Sequence, residues 1–261
     1  MITLNGKPVE IGSFPDGTIL MKQSDMDGIF ASINWRYEND REFLCLIYLV
    51  KHLRRLGFKV IDLTMPYIPN ARMDRVKNEE DVFTLKYFAE LLNDLHLDSV
   101  SVLDPHSTVS EALINNLQIY TPRKYINEAL DCIESDNMLM FYPDEGSMKR
   151  YSGMIDLPYA FGIKKRDWKT GKIEGLHIAG NVANIMGADI LIVDDICSRG
   201  GTFLHSAKKL KEHGANKIYL YVSHCENTIL EGELLTSGLI EKAFTTDSIF
   251  TKEHPLVEVL K

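Results

Sequence analysis

Asp194 and Asp195 end an apolar run, 190–193, and are followed at once by Ser198, Arg199, Gly200, Gly201 and Thr202. Four consecutive apolar residues suit a buried parallel strand. Helical spacing then begins in Phe203, Ala207 and Leu210. A strand that passes through a glycine-containing turn into a helix start points N–H groups at an anion, and glycine lets the backbone approach it. Two adjacent carboxylates repel each other unless a hydroxyl or a cation joins them. Acids and turn together suit a phosphorylated sugar, with hydroxyls or a magnesium ion on the acids and phosphate on the loop to Thr202. Strands ending in an acid and a glycine turn also occur with no ligand, so the motif alone leaves site and plain turn both open.

Such chemistry needs a sheet that delivers it to one edge. Along the chain, strand-like and helix-like segments alternate, the pattern of a parallel α/β architecture. Phe43, Leu46, Ile47, Val50, Leu53 and Leu56 share one helical face over 42–56. Residues 59–65 read as a strand stopped by Pro66, and 81–95 as a second amphipathic helix. A strand over 99–103 runs into Asp104, Pro105 and His106. After Tyr120, Thr121 and Pro122 the pattern restarts, with a helix over 125–133 and a strand over 138–142 ending in Pro143 and Asp144. The strand at 190–193, a helix from Thr202 and a strand over 218–222 complete the second half. The charged stretch 164–172, which contains Gly171, reads as an exposed loop. The pattern predicts two domains, 1–121 and 122–245, with the tail 246–261 packing back on the first. Three predicted strand ends carry polar chemistry: Asp104 with His106, Asp144, and Asp194 with Asp195. Ligands of open α/β sheets bind beyond the carboxyl ends of strands, so this agreement weighs more than any single motif.

Composition narrows the classes. The 261 residues, 45% of them apolar, hold one large or two small α/β domains. A net charge of −8 argues against a general nucleic-acid binder. Cys45, Cys132, Cys197 and Cys225 form no CxxC pair, so neither zinc nor a disulfide framework is indicated and a reducing cytoplasm fits. The first residues lack a basic segment followed by an apolar core, and no apolar run approaches membrane-spanning length, so neither a leader nor a membrane partner is expected. A GxxxxGKS/T segment is absent, which disfavours a P-loop kinase.

Four further segments carry a resemblance. They are Phe14-Pro15-Asp16-Gly17, then Met65-Pro66-Tyr67 with Asn70-Ala71-Arg72-Met73-Asp74-Arg75, then Asp104-Pro105-His106, then Pro143-Asp144-Glu145-Gly146-Ser147-Met148-Lys149-Arg150. With the Asp-Asp loop, which is similar to the sugar-diphosphate loop of type I phosphoribosyltransferases, the set resembles the ribose-phosphate pyrophosphokinase family from Phe14 to Phe250. The resemblance implies two phosphoribosyltransferase-like domains, each a mostly parallel sheet flanked by helices. It implies transfer of the diphosphate of ATP to the anomeric hydroxyl of ribose 5-phosphate, with Mg2+ required and a homo-oligomer as the working unit. By the same resemblance Phe14 and Asp16 hold adenine across a subunit interface, and Arg72, Asp74 and Arg75 hold ATP. His106 and Asp144 bind the metal. Asp194 and Asp195 take the ribose hydroxyls, and Ser198, Arg199, Gly200, Gly201 and Thr202 the 5-phosphate. Lys164, Lys165 and Arg166 lie on a flexible loop and stabilise the transferring group.

The physical chemistry agrees. Phosphoryl transfer depends on positioning and charge neutralisation more than on covalent help. Arginine forks bind two phosphate oxygens at once, and a basic loop that closes late supplies charge where it develops. Taken singly the same residues have blander readings: a solvated turn at Lys164–Arg166, a strand-end hydrogen bonder in His106, surface pairing of Arg72 and Arg75 with Glu79 or Glu80, and core for Phe14.

The chain also departs from the family pattern. The family's first strand and helix are missing before Phe14, Thr18 stands where an acid is usual, Met73 replaces a glutamine and Ser147 a glycine. The family's two catalytic basic residues lie two apart, which fits Lys164 with Arg166, while alignment on Ile163 selects Lys165. Ser198 and Arg199 replace an acid and a threonine in the sugar-phosphate loop. The added positive charge raises a larger acceptor, ADP-ribose, as an alternative to ribose 5-phosphate. A phosphoribosyltransferase and a non-catalytic regulatory homologue are the other readings.

Overall fold

The computed structural model describes residues 1–23, 27–166 and 173–261, with 164–166 and 173–176 described by their backbone alone. The chain divides into two units, Met1–Thr121 and Pro122–Lys261. Both are α/β, each a mostly parallel sheet flanked by helices.

In the first unit the elements run β1 (Ile2–Leu4), β2 (Lys7–Pro8), β3 (Glu10–Ser13), β4 (Ile19–Lys22), β5 (Phe30–Trp35), α1 (Arg41–Arg55), β6 (Val60–Thr64), α2 (Thr84–Asn93), β7 (Ser99–Leu103), α3 (Val109–Leu113) and β8 (Leu117–Tyr120). The main sheet has the order β2-β1-β5-β6-β7-β8. Its strands are parallel from β5 to β8 and antiparallel at the β1 and β2 edge. Strands β3 and β4 form a separate hairpin. Helix α1 forms because Cys45, Leu46, Leu49, Val50 and Leu53 recur at helical spacing and bury one face, while His52, Arg54 and Arg55 complement the carbonyl end of its dipole. Trp35 closes β5 inside the core, stacked on Phe43 at 5.8 Å, and Phe43 meets Phe88 of α2 at 4.6 Å. The indole Nε1–H donates to the buried Glu42 (2.9 Å), which satisfies both polar groups.

The second unit continues with α4 (Arg123–Asp131), β9 (Met138–Tyr142), α5 (Glu145–Tyr151), β10 (Tyr159–Arg166), β11 (Ile173–Gly180), β12 (Asp189–Cys197), α6 (Gly201–Glu212), β13 (Ile218–Cys225), β14 (Lys242–Thr246) and β15 (Val257–Leu260). Its seven strands have the order β11-β10-β9-β12-β13-β14-β15, and only the β10–β11 pair is antiparallel. Strand β12 is buried on both faces. Ile190 and Ile192 pack with Phe203, Ala207 and Leu210 of α6, while Leu191 and Val193 pack with Ile126 of α4 and Tyr151 of α5. This is why the strand reads as an unbroken apolar run and not as an alternation.

Three expectations are corrected. A strand is expected to be missing before Phe14, but β1 lies there and pairs antiparallel with β5 of the main sheet. The tail does not return to the first unit: β15 pairs in parallel with β14, from Ala243↔Val257 to Thr246↔Leu260, and belongs to the second. Val257 and Val259 pack against one core cluster and Leu260 is buried in another, so the strand covers an otherwise open sheet edge. Lys164, Lys165 and Arg166 are not loop. They end β10, paired with Leu176, Gly175 and Ile173, with a slip in register between Lys165 and Arg166. The antiparallel partner 173–180 supplies a backbone ladder. The rest of the expected loop, 167–172, lies outside the described residues. Among the described residues no helix is long and apolar enough to cross a membrane.

Because Leu260 is 3% exposed, Leu260→Ala lowers the unfolding free energy by about 2–5 kcal/mol, the usual range for truncating a buried leucine. Urea unfolding followed by circular dichroism measures this, and a surface-like change below about 0.5 kcal/mol would contradict the placement of the tail.

Candidate active site

At the carboxyl end of β12, Asp195 is buried and the Asp195 N–H donates to Asp194 Oδ1 (3.0 Å). Burial pushes the Asp194 carboxyl well above the usual carboxylate range, and the nearby charges of Asp195 and Asp144 push it the same way. Asp144 follows β9, the strand beside β12. Its Oδ1 accepts from the N–H groups of Gly146 and Ser147, both at 3.1 Å, in a capping box that starts α5. Three carboxylates thus gather at neighbouring strand ends. Arg150 of α5 answers them, with Nη1 3.3 Å from Asp195 Oδ2.

The turn after β12 is fixed by glycine. Gly200 sits in the left-handed region at φ +78°, and a Cβ there would meet Leu234 Cδ2 at 2.7 Å and Leu234 Cβ at 2.8 Å. It caps α6, and the Leu204 N–H returns to its carbonyl (2.9 Å). Gly201 and Thr202 are exposed at the start of this twelve-residue helix, where N–H groups face outward. Ser198 is half-buried, and Arg199 is exposed and paired with Glu231 at 2.9 Å. A Cβ on Gly232 would lie 1.9 Å from the Arg199 carbonyl oxygen, so the segment after Glu231 lies directly against the turn.

In the first unit, Phe14 to Gly17 form the tip of the β3–β4 hairpin. Gly17 N–H donates to the Phe14 carbonyl and Phe14 N–H to the Thr18 carbonyl, each at 2.9 Å. Proline second in the turn and Gly17 at φ +85° match a type I turn with a glycine bulge. The ring of Phe14 is half exposed. Asp16 Oδ1 accepts from the Thr18 hydroxyl (2.7 Å) and N–H (3.0 Å), which hold its carboxyl below the usual value. Arg41 of α1 ties the hairpin down through the Gly12 carbonyl and the Ser13 hydroxyl, both at 2.7 Å.

The Arg72–Arg75 segment follows Asn70, which is left-handed at φ +64°. Arg72 and Arg75 are exposed and Asp74 is buried. Arg75 grips Asp74 with two bonds, Nε to Oδ1 at 2.7 Å and Nη2 to Oδ2 at 2.9 Å. These bonds hold Asp74 below the usual carboxylate range against the opposing effect of burial, helped by Ser107 and His106. The residues at the end of β7 therefore meet the Arg72–Arg75 segment at Asp74. Asp104, buried at that end, adopts φ +42°, a conformation that costs a non-glycine residue about 1–3 kcal/mol.

No family model matches the chain. Curated relatives do, over most of its length. It is 26% identical to the ribose-phosphate pyrophosphokinase of Hyphomonas neptunium, over 95% of this chain and 81% of that protein. It is 28% identical to that of Shewanella oneidensis over 92% and 78%, and 26% identical to that of Pyrococcus furiosus over 91% and 85%. The chain is similar over most of its length to ribose-phosphate pyrophosphokinases. The crystal structure of the phosphoribosylpyrophosphate synthetase from Mycobacterium smegmatis matches with a TM-score of 0.80 at 18% identity, covering 97% of this chain and 85% of that one, and shows the same fold.

The candidate residues fall into three groups. Asp144, Asp194, Asp195 and the Ser198–Thr202 turn come together in the second unit. Arg72, Asp74, Arg75 and His106 form a cluster in the first, with Phe14 and Asp16 on the hairpin. Lys164, Lys165 and Arg166 are placed by backbone only. The metal candidates His106 and Asp144 lie in different units. Sequence reading assigned no role to Arg150, Glu231 or Ser107; a cation six residues beyond a capping acid was the available signal for the first.

Gly200→Ala combines a forbidden φ with a clash that trimming Leu234 to alanine does not remove, since Leu234 Cβ stays at 2.8 Å. The variant loses about 1–3 kcal/mol in urea unfolding, and Leu234→Ala does not restore it.

Proposed function

We propose that the chain transfers the diphosphate of ATP to the anomeric hydroxyl of ribose 5-phosphate, giving phosphoribosyl diphosphate and AMP. The observation that carries this reading is the acid pair Asp194 and Asp195 beside the glycine-capped start of α6. The pair offers acceptors to a sugar diol and the helix start offers N–H donors to its phosphate. The family relatives supply the reaction type.

In the reaction the anomeric oxygen attacks the β-phosphorus, the bond between the α,β-bridging oxygen and that phosphorus breaks, and AMP leaves. Exposed Arg72 and Arg75 would take the ATP phosphates, with Arg75 already oriented by Asp74. Phe14, half exposed at a stiff hairpin tip, suits stacking on adenine, and in a homo-oligomer it would serve a neighbouring copy. Lys164, Lys165 and Arg166 would neutralise the transferring group from the end of β10.

Magnesium, when bound, would neutralise phosphate charge. Asp144 and His106 are the candidates to hold it. Among the described residues no three His, Cys, Asp or Glu side chains are gathered into a metal-binding cluster. A magnesium ion keeps several waters and takes few protein ligands beside phosphate oxygens. The carboxylate is the better donor of the two, because magnesium is a hard cation.

Arg199 raised the larger acceptor, and it has Glu231 as a partner within the chain. The test is product analysis by mass spectrometry with ATP, magnesium and ribose 5-phosphate, and with ADP-ribose in a parallel arm. The expected result is one AMP per sugar diphosphate formed, no product in chelator, and AMP release lowered about a hundredfold or more in Asp144→Ala. AMP formed only with ADP-ribose would reassign the acceptor. No AMP with either acceptor would favour the regulatory homologue.

A further inference from the structure

The three carboxylates at the ends of β9 and β12 are joined to one short helix at both of its ends. Asp144 caps the start of α5, and Arg150, near its end, reaches Asp195. Arg150 is itself held. Its guanidinium lies 5.6 Å from the centre of the Tyr151 ring, and Nη1 is 3.4 Å from the Tyr151 hydroxyl. Tyr151 is fully buried and packs with Tyr142 of β9. The arginine therefore projects from a fixed ring in the core, with a quarter of its side chain exposed, onto an acid that is almost fully buried.

A buried carboxylate beside two others is held in place only if a cation and hydrogen bonds offset its loss of water. Arg150 supplies that cation to Asp195, through Oδ2. We propose that Arg150 is a positioning residue of the acceptor site: it orients Asp195 toward the sugar diol and so sets affinity for the acceptor, not for ATP. The inference rests on the diphosphokinase reading above. It acts through Asp195, as second-layer partners act on the groups that touch a ligand, and needs no contact between Arg150 and substrate.

The test is isothermal calorimetry of ribose 5-phosphate alone, and of a non-hydrolysable ATP analogue alone, with the wild-type chain, Arg150→Met, Arg150→Lys, Asp195→Asn and the double variant Arg150→Met/Asp195→Asn. The expected result for Arg150→Met is ribose 5-phosphate affinity weaker by about ten- to a hundredfold. Affinity for the ATP analogue changes less than about twofold, and Arg150→Lys recovers most of the loss because it keeps the charge. The double variant binds no more weakly than the worse single variant, because both substitutions remove one interaction. Losses that multiply, or a loss confined to the ATP analogue, would overturn the assignment and make Arg150 an independent phosphate contact. If the wild-type chain binds no ribose 5-phosphate, it is the diphosphokinase reading that fails. The Arg150–Asp195 coupling is then read from urea unfolding of the wild-type chain, Arg150→Met, Asp195→Asn and the double variant without ligand. Additive losses there would overturn it.

Discussion

Consecutive carboxylates at the end of a strand buried on both faces are the constraint around which the second unit is arranged. Strand β12 cannot shed Asp194 and Asp195 to solvent without drawing Ile192 and Val193 out of two separate core clusters. The acids must therefore be accommodated where they are. The neighbouring elements do this locally: Asp195 turns its N–H to Asp194, and α5 brings Arg150 to Asp195. What is left over is an acid, Asp194, whose environment opposes its charge. A group in that condition is relieved by a hydroxyl or a cation, which is the physical basis for taking the strand end as the candidate site.

The first unit solves a related problem by other means. Asp74 is also buried, but its charge is matched at once by the adjacent Arg75 with a two-bond grip. That grip orders an exposed arginine, and a planar fork held in place has little freedom left to lose. The backbone strain of Asp104 and Asn70 flanks the same cluster. Strain persists where surrounding structure fixes it, here a β7 end pinned by the Asp104 N–H to Tyr120 and the Leu103 N–H to Pro66.

Much of this was legible in the chain, and what was missed has identifiable causes. The strands over 99–103, 138–142 and 190–193 read clearly because parallel strands covered on both faces are apolar throughout. Strand β5 was missed because its alternation is carried by Ala31, Ile33 and Trp35 between polar or exposed residues, too few large apolar side chains to mark a strand. The tail was misassigned because nothing local says which sheet edge a terminal strand will cover. The basic stretch was read as loop because charge obscures a hairpin whose stability lies in its backbone ladder. Cys197 and Cys225, far apart in sequence, stand opposite each other across β12 and β13, and the neighbouring Cys225 thiol with burial pushes the Cys197 thiol up. Register is a property of the sheet, and spacing along the chain does not encode it. Arg150 belongs to the same class: its acidic partner Asp195 lies 45 residues on, and only the sheet brings the two together.

The sugar-phosphate turn shows how the unusual residues of a site can be accommodated without altering its frame. Gly200 is required by φ and by Leu234, and Gly232 by the Arg199 carbonyl, so the backbone of the turn is set by contacts that ignore the side chain at 199. That side chain instead pairs with Glu231, on the surface, with both partners largely exposed. Exposed pairs contribute about 0–1 kcal/mol, little enough that a ligand anion could exchange with Glu231 at small cost. The turn therefore separates two jobs. Its glycines fix the path of the backbone, and Arg199 with Glu231 forms an adjustable charge pair at its rim. Substitution at the rim leaves the glycine frame, which the contacts with Leu234 and the Arg199 carbonyl demand, as it is.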